Sequence, residues 1–310
     1  MHYRYMIDSR LQLLIAVCEH GTVTAAAEAL YRTPSGVSRQ LKELARELDV
    51  DLLERHGRRV RLTPAGERLV AHARALNAQW ETALGDVATA ATQLCGPISI
   101  GGFPTAISSI IAPALPGLRA QHPQLRPVVK EVYSGELVAA LESGAVDLGI
   151  YVADDSTGGL SADHLTVTGL QDDPLDLLVP RAHPFAAAET VTLQDAAHQD
   201  WITGHPHQDA YAELLAATRA VGYAPRVAHL AQEFTATTAL VAAGAGIAAV
   251  PRLAMTIPHP DVVQVPLAGS PVPRRRILLA RRRGSEENPR VAAAMRALQA
   301  HCSDSAPAQA

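Results

Sequence analysis

Ser35, Ser38, Arg39, Lys42 and Arg46 fall on one face of the run from Ser35 to Leu48. Short hydroxyls near the start of a helix and cations further along suit the major groove of DNA, where they reach base edges and phosphates. On the opposite face Val37, Leu41, Leu44 and Leu48 keep the i, i+4, i+7 spacing of a buried stripe. Pro34 fits the first helical position, where a missing N–H has no partner to lose. Downstream, the residues from Leu52 to Leu62 alternate around Gly57 and place Arg58, Arg59 and Arg61 near the tip of a short hairpin. A recognition helix with a cationic wing is a two-part phosphate clamp. An amphipathic hairpin with a solvated basic face would account for the helices alone; the wing tips the reading to double-stranded DNA. Thr22, Thr24, Thr33 and Pro34 complete the residues expected at that interface.

The elements that must hold this face follow from pattern. Leu11, Leu14, Ile15 and Cys18 share one side of a first helix, and the Ala-rich run Thr24 to Leu30 can pack closely beside it. Thr63 before Pro64 signals another helix start. From there Leu69, Ala73, Leu76, Trp80, Ala83, Val87, Ala90 and Leu94 recur in alternating steps of four and three, a heptad seam. Beside a winged helix such a seam is expected to dimerise, because two recognition helices must be spaced for two half-sites. A lone helix packed on its own domain would show the same pattern.

The runs Ala-Ala-Glu-Ala-Leu, Ser-Gly-Val-Ser-Arg-Gln-Leu, Leu-Leu-Glu-Arg and Leu-Thr-Pro-Ala-Gly resemble the N-terminal signature of LysR-type transcriptional regulators. The resemblance extends in order to about Leu298. Pro34 stands where many members carry a base-reaching Gln, which shifts expected base readout to Ser35, Ser38 and Arg39. Ala45 and Asp49 replace a usual Glu and a helix-ending Gly. The resemblance implies a homodimer or homotetramer, a small-molecule effector, a cytoplasmic location, and altered DNA bending or contact with RNA polymerase.

After Cys95-Gly96-Pro97 the texture becomes α/β. Strands are expected at Pro97–Gly101, Pro127–Tyr133, Asp147–Val152 and Asp176–Pro180, with helices at Pro104–Gln121 and Glu136–Ser143, hence a mostly parallel sheet. A second set runs Trp201–Thr203, Asp209–Val221, Val227–Leu230, Gln232–Ala243, Ile247–Pro251 and Val262–Pro266, before Ile277–Ala280 and the helix Asn288–Ala300. The expected organisation is a winged helix-turn-helix over 1–63, a linker helix over 64–95, and a two-lobed effector domain over 96–301. Lobe I would take about 96–175 and 268–301, lobe II about 176–267, and 302–310 a frayed tail. This α/β architecture is similar to periplasmic solute-binding proteins.

Open α/β sheets bind ligands beyond the carboxyl ends of their strands. That rule selects Pro104, Thr105, Ala106, Tyr133, Ser134 and Tyr151 from one lobe, and Thr203, Gly204, His205, Phe234 and Thr235 from the other. Thr105 at a helix start suggests an anionic effector, though it could equally cap its helix. Phe234 and Tyr151 could equally be core residues.

Composition narrows the alternatives. The chain has 310 residues, 48% hydrophobic and 19% charged, with a net charge of −4, so affinity for DNA must be local. Cys18, Cys95 and Cys302 are far apart and form no CxxC, which suggests neither a disulfide framework nor a zinc site. The peroxide-sensing branch of the resembled family needs a reactive pair inside the sensor domain, and none is present. His205-Pro206-His207 has metal spacing but no third ligand, so no metal and no cofactor are expected. Leu11–Cys18 mimics a signal peptide, and 234–251 mimics a membrane span; Gln12 and the split at Gly244 and Gly246 argue against both. Gly244 to Ala249 mimics a dinucleotide fingerprint but follows a helix and opens a strand, the reverse of the required order. No enzyme is expected. The rival readings are a solute-binding or enzymatic α/β domain fused to a DNA anchor, and a constitutive DNA binder without an effector.

Overall fold

The computed structural model describes residues 8–30, 32–56, 59–89, 94–153, 164–206, 209–254, 258–269 and 273–305. The chain forms two compact units, one of Met1–Tyr151, Leu160–Thr168 and Leu279–Ala310, the other of Val152–Gly159 and Gly169–Leu278.

The first unit begins with three helices, α1 (Ser9–His20), α2 (Val23–Ala29) and α3 (Pro34–Glu47). Each start has a side-chain cap: Asp8 accepts from Arg10 N, Thr22 from Ala25 N and Thr33 from Gly36 N. Leu13, Leu14 and Val17 of α1, Ala26 and Ala27 of α2, and Val37, Leu41 and Leu44 of α3 make one core. Arg10 clamps Glu47 with two bonds of 2.8 and 2.7 Å, tying the start of α1 to the end of α3. That hydrogen bonding holds the Glu47 carboxyl below its ordinary range. Leu48, expected in the buried stripe, is 46% exposed. The helix has ended there, and Asp49 takes the left-handed conformation, φ 54°, that turns the chain away.

Strands β1 (Leu53–His56) and β2 (Arg59–Leu62) pair antiparallel from Leu53↔Leu62 to His56↔Arg59. Val60 N donates to Gly21 O at 3.1 Å, which fixes this hairpin to the end of α1. Helix α4 (Pro64–Thr89) follows. Along its expected seam Leu69 and Ala73 pack into the three-helix core, whereas Leu76 and Val87 are exposed. The seam therefore changes partner partway along the helix.

Next come β3 (Gly96–Gly102), α5 (Pro104–Ala106), a π-helical segment (Ile107–Ile111), α6 (Ala112–Gln121), β4 (Leu125–Glu131), α7 (Leu137–Glu142) and β5 (Leu148–Val152). The three strands are parallel in the order β4-β3-β5, with Ile100 opposite Val129 on one side and Leu148 on the other. A plain helix was expected over 104–121. Pro113 has no N–H to give the carbonyl of Ser109, and that oxygen is met by His301 Nε2 at 3.0 Å.

Strand β6 (Leu165–Pro180) begins in the first unit and ends in the second. The second unit holds β7 (Val191–Thr192), β8 (Asp200–Thr203), α8 (Asp209–Ala220), β9 (Arg226–Leu230), α9 (Phe234–Ala242), β10 (Ala248–Pro251) and β11 (Val262–Ala268). Strands β10 and β11 both pair antiparallel with β6, and β8 pairs parallel with β9. Trp201 is fully buried among Leu177, Val179, Leu214, Ile247 and Val265. Strand β6 begins well before the expected Asp176, because its acidic residues are neutralised by distant partners. Asp173 accepts from Arg275 Nε at 2.8 Å and Leu253 N at 3.1 Å. Asp176 accepts from Arg252 Nε at 2.8 Å and Nη2 at 2.7 Å, and from Gln264 at 2.7 Å.

Strand β12 (Arg274–Arg282) returns to the first unit, and α10 (Pro289–Ser305) follows. It runs past the expected start of a tail because Cys302 is 3% exposed and packed as core. At the end of β12 the Arg282 guanidinium is buried. It donates to Glu81 of α4 at 2.7 Å, to Asp147 at 3.1 Å, and to the carbonyls of Leu141 at 2.6 Å and Val146 at 2.8 Å. Asp147 in turn accepts from Ser99 N and Oγ. One turn along α4, a Cβ on Gly85 would lie 2.6 Å from the carbonyl carbon of Glu287. In an open helix Gly→Ala stabilises by about 1 kcal/mol. Here Gly85→Ala is expected to destabilise the full chain by roughly 1–3 kcal/mol, as overpacking does, measured by chemical denaturation. An unchanged or raised midpoint would mean that α4 does not pack on this loop.

Candidate nucleic-acid interface and effector site

Helix α3 presents Ser35, Ser38, Arg39, Lys42, Glu43 and Arg46 around one shallow groove. Ser35, Arg39, Lys42 and Arg46 are exposed, while Val37, Leu41 and Leu44 anchor the opposite face. Arg39 pairs with Glu43 at i, i+4, 3.8 Å apart, its sole ion-pair partner among the described residues, and stays 76% exposed. So weak and solvated a pair gives way readily to a phosphate or a guanine edge. Glu43 was not among the residues expected on this face, though its spacing of four from Arg39 places it there.

Thr22 and Thr33 are the caps of α2 and α3, Thr24 is exposed on the first turn of α2, and Pro34 opens α3. Arg61 lies on β2, whose other cation, Arg59, pairs in backbone with His56 at the hairpin end. Arg58 lies outside the described residues.

The first unit brings together the ends of its three parallel strands, β3, β4 and β5. Pro104, Thr105 and Ala106 follow β3, Tyr133 and Ser134 follow β4, and Tyr151 lies on β5. In the order β4-β3-β5 the chain leaves β3 for one side and crosses to the other, the switch at which open sheets form ligand crevices. The alternative of Thr105 as a cap does not hold. Phe103 is the cap position, with no side-chain hydrogen bond, and Thr105 is the second helical residue, 7% exposed. Tyr133 is 43% exposed and Tyr151 only 3%.

In the second unit Thr203 ends β8 and is buried, Gly204 is buried, and His205 is exposed. His207, its expected companion, lies outside the described residues. Thr235 is exposed on α9, and Phe234 packs against a core of Leu178, Ile202, Val241 and Val250. The GxGxxA run has a packing explanation. A Cβ on Gly246 would lie 2.6 Å from Asp200 O, and Ile247 N and O bond to β8.

Two family models match. One, the bacterial regulatory helix-turn-helix protein of the lysR family, covers residues 9–67; the other, the LysR substrate binding domain, covers 91–303. The chain is 28% identical over 254 residues to the HTH-type transcriptional regulator AlsR of Bacillus subtilis (strain 168), spanning 81% of this chain and 82% of AlsR. It is 29% identical over 287 residues to the hydrogen peroxide-inducible genes activator of Pectobacterium carotovorum subsp. carotovorum, 89% of this chain and 90% of that protein. In fold it is similar to full-length CbnR complexed with its target DNA, with TM-score 0.58 and 24% identity over 96% of this chain and 100% of CbnR. No helix of the described residues is long and apolar enough to cross a membrane.

Arg61→Ala is expected to weaken every DNA site alike and to reduce the slope of log affinity against log salt by about one. Arg39→Ala or Ser38→Ala should instead re-rank sites, by about 1–3 kcal/mol at the altered position. Gel shifts across a randomised operator set, repeated over salt, separate the two outcomes; uniform loss in all three variants would remove α3 from base readout.

Proposed function

This chain belongs to the LysR family of DNA-binding transcriptional regulators, and from that premise we propose which of its residues read DNA and which meet the effector. Helix α3 enters the major groove with Ser35, Ser38 and Arg39 toward base edges, and Lys42 and the wing cations hold phosphates. What carries this reading is the undercommitted cationic face of α3 opposite a fully buried apolar one. The complex of CbnR with its target DNA supports it by likeness of fold.

The regulator works as an oligomer of this chain, and α4 supplies a pairing surface. Leu76 and Val87 are exposed on it, Val87 to 72%, as residues are when a second helix is their intended neighbour. Val87→Glu is expected to leave thermal unfolding of the chain intact and to dissociate the oligomer at micromolar concentration by light scattering. A dimer that survives the charge would place the pairing surface elsewhere.

The effector is a small carboxylate. Its negative charge is met where the helical run opens after β3, at Pro104, Thr105 and Ala106, by the positive end of the helix dipole, beside Tyr133 and Ser134. Differential affinity for two assembly states then changes DNA bending or polymerase contact. A thermal-shift screen of small carboxylates on the full chain should give hits that Thr105→Val abolishes, with operator binding in the absence of effector unchanged. Hits indifferent to Thr105→Val would put the effector at another site.

Peroxide is disfavoured as the signal, although several relatives are named for it. Residues 96–301 contain no cysteine, and burial pushes the Cys302 thiol up to about 11. At pH 7 its thiolate fraction is then roughly one in ten thousand, and the thiolate is the reactive form. Burial also raises the Cys18 thiol. Treatment with hydrogen peroxide should leave operator affinity within about twofold, in contrast to a thiol-switched regulator; a larger change that dithiothreitol reverses would contradict this.

A further inference from the structure

Helix α3 carries two carboxylates, and they are placed differently. Glu47 accepts two bonds from Arg10, at 2.8 and 2.7 Å, and is held against the start of α1. Glu43 instead lines the groove of Ser35, Ser38, Arg39, Lys42 and Arg46, the one acid among them. We propose that Glu43 is a specificity-determining residue, whose carboxylate accepts a hydrogen bond from the exocyclic amino group of a cytosine near the guanine read by Arg39. The proposal rests on the reading of α3 as the helix in the major groove, and adds to it a base that the cations cannot select.

The distribution of charge carries it. Affinity without sequence preference grows with the number of phosphates neutralised, so a face that only held phosphates would gain from each cation and lose from each carboxylate. Glu43 nevertheless stands four residues after Arg39 and three before Arg46, adjacent to both on the helix surface. Its side chain is 42% exposed, and at 3.8 Å its contact with Arg39 is too long for a hydrogen bond. A carboxylate so loosely paired keeps lone pairs for a donor from outside the protein. Packing keeps it in place, because Val37, Leu41 and Leu44 are buried on the other side of α3 and prevent the helix from turning this row away from the groove.

The bases decide what a carboxylate there tolerates. In the major groove guanine offers only acceptors, and thymine an acceptor and a methyl group. Cytosine and adenine offer an amino donor, but adenine sets its N7 acceptor beside that donor, and N7 repels a carboxylate. Cytosine is therefore the base that satisfies Glu43. Four residues advance a helix by about 6 Å, and successive base pairs lie about 3.4 Å apart. Arg39 and Glu43 thus reach base pairs within about two steps of one another. Off target the two side chains stay paired and mask each other's charge. Where guanine meets one and cytosine the other, the pair opens, and a solvated i, i+4 pair costs little to open.

The test uses the full chain and a randomised operator library, selected by binding and then sequenced. The wild-type chain should prefer cytosine at one position near the guanine whose preference Arg39→Ala removes. Glu43→Gln should move that preference to adenine, whose N6 and N7 suit a glutamine amide, and leave the other positions ranked as before. Glu43→Ala should erase the preference, a change of about tenfold between bases. It should also strengthen binding to DNA of unrelated sequence by roughly twofold or more. Unaltered base ranking in both Glu43 variants would overturn the proposal, as would re-ranking spread over every position. Arg39→Ala in the same library tells this failure from failure of the α3 reading. Re-ranking by Arg39→Ala alone removes only Glu43 from base readout, whereas no re-ranking by either residue removes α3. A Glu43→Gln chain that melts lower but ranks sites unchanged would show a carboxylate that only steadies its helix, and would refute the assignment.

Discussion

The first unit depends on one buried guanidinium. Arg282 arrives at the end of β12 and engages a carboxylate from α4, a carboxylate preceding β5 and two carbonyls from the end of α7 and the turn after it. Removing such a group from water costs several kcal/mol, which only near-complete hydrogen bonding offsets. The required geometry therefore selects one arrangement of linker helix, return strand and sheet. An apolar replacement would pack but would not dictate direction. Arginine suits this role because its planar fork addresses several acceptors at once, which a lysine cannot do.

The same arrangement determines what α4 can do at its two ends. Its first turns bury Leu69 and Ala73 with the three-helix core, and Glu81, Thr82 and Gly85 lie against the segment before α10. A helix held at both places transmits a shift at one to the other with little bending. Its exposed large apolar residues, Leu76 and Val87, lie outside those contacts. On the proposed reading, pairing would use a face of α4 other than the one packed against its own unit.

Much of this was legible in the sequence where the signal is periodic and local. The stripe Val37, Leu41 and Leu44, the helix start at Pro34, and the strands around Ile100 and Ile150 were all readable within a few residues of their positions. The recognition face was legible because exposure there follows directly from helical spacing. Leu48 misled, since the helix stops one residue earlier and a left-handed Asp49 redirects the chain. The first two-thirds of β6 was illegible for a different reason. Asp172, Asp173 and Pro174 look like a loop until Arg274 and Arg275, about a hundred residues away, arrive as their counter-ions.

The buried and half-buried polar groups divide along the same line. Thr105, Tyr133 and Ser134 could be named because a topological rule points to strand ends without needing any contact. The ion-pair network of Glu19, Arg74, Glu142 and His164 could not, since Glu19 and Arg74 are 55 residues apart and nothing in their local pattern marks either. Each reads as an ordinary charge on an amphipathic helix. Only packing α1 against α7 removes them from water together, and that desolvation turns four ordinary side chains into a network in which charge must be balanced. Pattern can therefore reveal where a surface is offered, as on α3, while buried polar chemistry emerges from the tertiary contacts that create its dielectric.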